Sequence, residues 1–142
     1  ITDLAALGER TVWLDCDVIQ ADGGTRTASI SGAFVALVLA LNRFRESLQL
    51  EKLPIRSYIG AVSAGIVNDV PLLDLCYEED STAMVDMNFV LTSDNQIVEI
   101  QGTGEARPFN RDEMQTLLEL AEKGVKVIFD AQKAVIGDLL DI

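Results

Sequence analysis

Between residues 11 and 19 apolar and polar positions alternate, with Val12, Leu14, Cys16 and Val18 on one side and Trp13, Asp15 and Asp17 on the other. A period of two is the pattern of a half-buried strand, so a strand is predicted here with Asp15 and Asp17 on its polar face. The turn formers of Gln20-Ala21-Asp22-Gly23-Gly24-Thr25 follow, and Thr25 is a candidate helix cap. Beyond it Ile30, Phe34, Leu37, Leu41, Phe44 and Leu48 recur at steps of four and three, which predicts a long amphipathic helix. Pro54 separates that helix from an apolar run over residues 58–67, predicted as a strand in which Gly60 and Gly65 mark bulges or close backbone approach. Asn68-Asp69 makes a turn into a second apolar strand over residues 72–77. Residues 85–91 and 97–101 predict a hairpin closed by Ser93-Asp94-Asn95-Gln96. Asn110 caps a helix whose first turn carries Asp112 and Glu113, matching the helix dipole. Gly124 is expected to end or kink it before a last helical segment over residues 125–139.

The order strand, helix, four strands, two helices predicts a single α/β domain with a mixed sheet. At 142 residues and 49% hydrophobic the chain is long and apolar enough for a real core. Its most apolar stretch, residues 30–41, is shorter than a bilayer span and is bracketed by Arg26, Arg43 and Arg45, so it reads as a buried helix and no membrane is expected. Because the first residue is Ile1, the expectation is a piece of a longer chain.

Charge and composition narrow the chemistry. The chain holds no histidine, and its two cysteines, Cys16 and Cys76, form no CxxC pair. Histidine-activated nucleophiles and zinc clusters are thereby excluded from this chain. Both thiols are expected reduced and buried in strands, as in a cytoplasmic protein. With a net charge of −12 the surface is not a general nucleic-acid or anionic-membrane binder. Carboxylates, arginines and hydroxyls must carry any catalysis.

Two features fit that inventory. Gly23-Gly24-Thr25-Arg26-Thr27 lies where a helix begins. Free N–H groups there attract an anion, glycines allow close approach, and Thr25 and Arg26 add a hydroxyl and a charged fork. The same text also suits a plain glycine turn with a capping threonine, and it matches neither a Walker loop nor GxGxxG. The second feature is Asp80 and Asp86. With Val85, Met87, Phe89 and Leu91 facing the core, Asp86 falls on the opposite face with Asn88, and a short connection could fold Asp80 back beside it. Two adjacent carboxylates can hold Mg²⁺ or share a proton; a solvated loop acid and a strand-face acid is the other reading.

The text TVWLDCDVIQADGGTRTASISGAFVAL, followed by AVSAGIV, DLCYEEDSTAMVDMN and IVEIQGTGE, resembles the bacterial ribonuclease PH family from about Leu4 to Ile136. The resemblance implies a ribosomal-S5-like α/β fold (the ribonuclease PH fold) and a phosphate-dependent 3′-to-5′ exoribonuclease, a nucleotidyltransferase trimming transfer-RNA precursors in the cytoplasm. It implies that Gly24, Thr25 and Arg26 hold inorganic phosphate, the co-substrate, and that Asp80 and Asp86 are active-site aspartates holding a divalent metal, magnesium. Arg26 counts with them among the catalytic groups. RNA 3′ ends and further copies in a hexameric ring, a trimer of dimers, are the implied partners.

Family members begin well upstream of Ile1, so residues 1–142 are expected to be the C-terminal portion of one such domain. The absent segment would supply further strands, another phosphate-binding arginine and much of the basic RNA path. An uncovered apolar face is then expected along residues 58–67. Two rival readings are a non-catalytic structural or RNA-binding ring subunit of the same fold, and an unrelated phosphate-binding enzyme.

Overall fold

Four strands, β1 (Ile59–Val67), β2 (Val70–Leu73), β3 (Val85–Thr92) and β4 (Ile97–Thr103), pair antiparallel throughout in the order β2-β1-β3-β4 in the computed structural model, which describes every residue except Asp141. Asn68 and Asp69 join β1 to β2, both at positive φ, the backbone of a tight two-residue hairpin. Residues directly opposite on neighbouring strands share a face. Ile66–Val85, Ala64–Met87–Gly102 and Val62–Phe89–Ile100 make the apolar rows, while Gly65–Asp86–Thr103, Ser63–Asn88–Gln101 and Ala61–Val90–Glu99 make the rows of the opposite, more polar face.

Helix α1 is a single turn at Leu4–Leu7, α2 spans Thr25–Arg43, α3 is another single turn at Tyr77–Asp80, and α4 spans Arg111–Ile136. Asn110 caps α4, its side chain accepting from the backbone of Asp112 and Glu113 while Glu113 accepts from the Asn110 N–H. Helix α4 covers the apolar rows and buries Leu117, Ala121, Val125 and Phe129. Helix α2 runs beside β1 where β2 has ended: the Ser31 hydroxyl accepts from Ala61 N at 3.0 Å. Gln132 of α4 locks the arrangement by donating to Ser31 O and Ile59 O, at 3.0 and 2.8 Å. Phe34 and Tyr58 pack with their rings tilted by 50° and their centres 5.4 Å apart, and the Lys133 ammonium lies 5.5 Å from the Tyr58 centroid.

The α/β class holds, with several corrections. Residues 11–18 form no strand and join no ladder among the described residues, and Trp13 and Ile19 are 90% and 99% exposed. The alternation is genuine; without a ladder to join, it leaves Asp15 and Asp17 in a loop rather than on a sheet face. The four strands that do form contain no parallel pair, so the expected mixed sheet is here an antiparallel one. The second strand ends at Leu73, because Asp74 turns the chain at φ 59° and Tyr77 opens α3. Cys16 is exposed and Cys76 caps α3, so neither thiol lies in a strand; both are free.

Gly124 neither ends nor kinks α4. A Cβ there would stand 3.0 Å from Leu73 Cδ1 and 3.3 Å from Val62 Cγ1, so this glycine brings the helix close to the sheet. Gly65 meets the expected close approach, with room for no side chain against the Val85 carbonyl. Helix α2 buries only one face, chiefly Phe34, Val38 and Leu41. With 19 residues at a mean hydropathy of 1.3 the whole helix, longer than the apolar stretch over residues 30–41, is long and apolar enough to cross a membrane by length and composition, a test that the core helix of a soluble protein also passes. The expected bare face along residues 58–67 is instead the middle of the core, with Tyr58, Ala61, Ala64 and Ile66 buried.

Candidate active site

The glycine turn is built for close approach. Gly24, the N-cap of α2, has φ 70°, the left-handed region where glycine is unstrained. Thr25 is thus the first helical residue rather than the cap, and its hydroxyl is not spent on capping. The Thr27 hydroxyl donates to Gly24 O at 2.8 Å and closes the turn. Gly23 packs directly on the backbone of Leu75 and Cys76, where a Cβ would overlap the Leu75 carbonyl.

Asp22 joins this turn to the next element. Its Oδ1 accepts from Tyr77 N at 2.6 Å and from Gly23 N at 2.8 Å. Those two N–H groups, Tyr77's first, hold its carboxyl below the usual range. Tyr77 opens α3, and Asp80 closes it. The chain then re-enters the sheet where Met84 N donates to Ile66 O at 2.7 Å, which starts β3 and sets Asp86 on the polar face.

The result is a cavity of about 150 Å³ lined by Gly24, Thr25, Arg26, Ser63, Asp80, Asp86 and Asn88. All five residues singled out from sequence meet in it. Burial raises the Asp86 carboxyl above its ordinary pKa, and the negative charges of Asp80 and Glu105 push it further. Sequence reasoning missed Ser63, whose hydroxyl accepts from Leu75 N at 3.2 Å and whose strand partner is Asn88. The available signal was its position as the lone hydroxyl in the apolar run Ala61-Val62-Ser63-Ala64-Gly65. It also missed Glu99, which reaches Arg26 Nη2 at 2.8 Å from β4.

The donors for a cation are oxygens alone: the Asp80 and Asp86 carboxylates and the Asn88 amide oxygen. No group of three or more His, Cys, Asp or Glu side chains converges among the described residues. A small hard cation that keeps several waters suits such a set, and Mg²⁺ is the usual one.

A much larger groove, about 510 Å³, lies on the other side of α2 between residues 15–20 and Thr25, Ala28, Ser29, Gly32, Ala33 and Ala36. It contains Asp15 and Asp17 but neither Arg26 nor the aspartate pair.

Residues 57–124 match the family described as 3′ exoribonuclease family, domain 2. The chain is 54% identical over 142 residues to the ribonuclease PH of Bacillus pumilus, a match covering 99% of this chain and 59% of that protein. In structure it is similar to rice Rrp46, with a TM-score of 0.68 and 16% identity over 83% of this chain and 50% of that one. It is also similar to a chain of the Archaeoglobus fulgidus exosome with RNA bound to the active site, with a TM-score of 0.60 and 23% identity over 78% of this chain and 44% of that one. At these identities the solved structures speak to the fold alone.

Proposed function

We propose, for a chain that belongs to the ribonuclease PH family, that its protein is a phosphorolytic 3′-to-5′ exoribonuclease acting on transfer-RNA precursors in the cytoplasm as a hexameric ring, a trimer of dimers. The observation that carries this reading is the meeting of the anion-binding turn at Gly24, Thr25 and Arg26 with Asp80 and Asp86 in one cavity.

Inorganic phosphate is bound by the N–H groups of the first turn of α2, the Thr25 hydroxyl and the Arg26 guanidinium. One phosphate oxygen attacks the phosphorus of the last phosphodiester. The bond from phosphorus to the 3′ oxygen of the preceding nucleotide breaks, and a nucleoside 5′-diphosphate leaves. Negative charge spreads over the transferring group, and Arg26 meets it. In the metal-free site, where burial and the charges of Asp80 and Glu105 raise its pKa, Asp86 is the acid that protonates the departing 3′ oxygen; when Asp86 holds a cation, water supplies that proton. Asp80 and Asp86 would hold a divalent cation, and such a cation would supply further positive charge to offset the charge that builds in the transition state.

The test is release of nucleoside diphosphates from a 3′-tailed RNA by the full-length protein as phosphate is varied. Phosphate-dependent release that Asp80→Asn and Asp86→Asn each lower by orders of magnitude supports the reading, with losses that do not add in the double variant. RNA retention with no release in wild-type protein would favour the non-catalytic ring subunit.

A further inference from the structure

The Arg26 guanidinium is already engaged. Its Nη2 stands 2.8 Å from Glu99 Oε1 and donates to Glu99 Oε2 at 3.0 Å. Its Nε and Nη1 meet no carboxylate among the described residues. Glu99 belongs to the row Ala61–Val90–Glu99, next to the Ser63–Asn88–Gln101 row that floors the cavity. A bulge fixes that place: Val90 pairs with Glu99 but Leu91 pairs with Ile97, so Val98 is the extra residue. Bulges re-aim side chains at the end of a regular ladder, and this one adjoins Glu99.

We propose that Glu99 is a positioning residue for phosphate, tethering Arg26 across the polar face of the sheet while leaving the rest of its fork to the incoming anion. This rests on the phosphorolytic reading above. An arginine side chain has large rotamer freedom, and the Arg26 side chain is 48% exposed, so nothing but a partner holds it over the cavity. Glu99 occupies one of its nitrogens and spends none of the others, so the guanidinium bridges two anions instead of exchanging one for another. A carboxylate beside the site also repels phosphate; for a pair this exposed, screening by water weakens that repulsion, and the ordering of Arg26 prevails.

The experiment measures phosphate and RNA dependence of diphosphate release by the full-length protein carrying Glu99→Ala or Glu99→Gln. The Ala variant should raise the KM for phosphate about two- to fivefold, the range of an exposed ion pair, with a smaller fall in kcat and the KM for RNA unchanged. Glutamine keeps an acceptor oxygen and should return the KM for phosphate towards wild type. A KM for phosphate that stays the same or falls in the Ala variant overturns the tether, and a fall in both variants would make Glu99 a competitor for Arg26. A general loss of kcat and of RNA affinity together would make its role structural, also against the proposal. Wild-type protein without phosphate-dependent release would sink the underlying reading instead, a separate outcome.

Discussion

At Arg26 the proposed chemistry depends on a planar fork: Nη2 is held by Glu99, and the residue lines the cavity with Gly24, Asp80 and Asp86. Lysine has a point charge and no fork. Arg26→Lys should therefore lower kcat/KM for phosphate by more than about tenfold, the scale of a lost charge-assisted hydrogen bond, while RNA binding changes little. Diphosphate release and RNA retention measured on the same full-length variant check this, and unchanged phosphate dependence would remove Arg26 from the site. Asp86 gives a second residue-scale prediction. Burial first, then Asp80 and Glu105, raise its folded pKa above the unfolded value near 3.8. The folded state then binds more protons than the unfolded one, so stability falls as pH rises through the folded pKa. The penalty is absent below the unfolded pKa and complete only above the folded one. With a chelator present, Asp86→Asn should melt higher than wild type at pH 7, and the gain should vanish in acid below the ordinary carboxylate range. A lower Tm at pH 7 would mean that the carboxylate holds structure together.

Between elements the critical link is Asp22, whose Oδ1 accepts from both Gly23 and Tyr77 and so ties the glycine turn to the helix that ends in Asp80. Asp22→Ala should weaken phosphate dependence and divalent-metal dependence together, whereas Asp22→Asn keeps the acceptor oxygen and should stay near wild type. Titrations of activity against phosphate and against magnesium separate a shared positioning role from damage to one half alone. The strands β1, β3 and β4 and the capped start of α4 were legible in the sequence, because alternation, turn residues and a capping box are local signals. Three features were not, each for a reason outside its own segment. The alternating run from Thr11 has no neighbouring strand here to pair with. Gly124 looks like a helix terminator, but Leu73 and Val62 lie where its side chain would be. Glu99 looks like a solvated strand acid until the bulge at Val98 and the reach of Arg26 are known. The spacing of Asp80 and Asp86 left a solvated loop acid and a strand-face acid as the other reading, and it was the resemblance that singled the pair out.

Over the whole molecule, burial is lopsided. The sheet and α4 make a closed core, whereas Ala28, Gly32, Ala36 and Leu39 on the outer side of α2 are exposed, and the groove they border runs beneath residues 15–20. Trp13, Leu14, Val18 and Ile19 are exposed as well, the last two along that groove. Electrostatics are lopsided too: in and beside the cavity Arg26 faces Asp80, Asp86, Glu99 and Glu105, within a chain of net charge −12. One guanidinium among four carboxylates is a poor trap for a phosphate dianion unless a divalent cation and further positive charge join it. The chain spans 59% of the length of the ribonuclease PH it matches, and the prediction is that residues 1–142 cannot do the work of that whole. Produced alone, they should bind a hydrophobic dye, self-associate during size exclusion and release no nucleoside diphosphate, even at saturating magnesium and phosphate. The full-length protein should form a discrete assembly, bind little dye and release diphosphate under the same conditions. A monodisperse, fully active chain of 142 residues would show that the exposed side of α2 needs no cover and that its own carboxylates and single arginine suffice to hold phosphate.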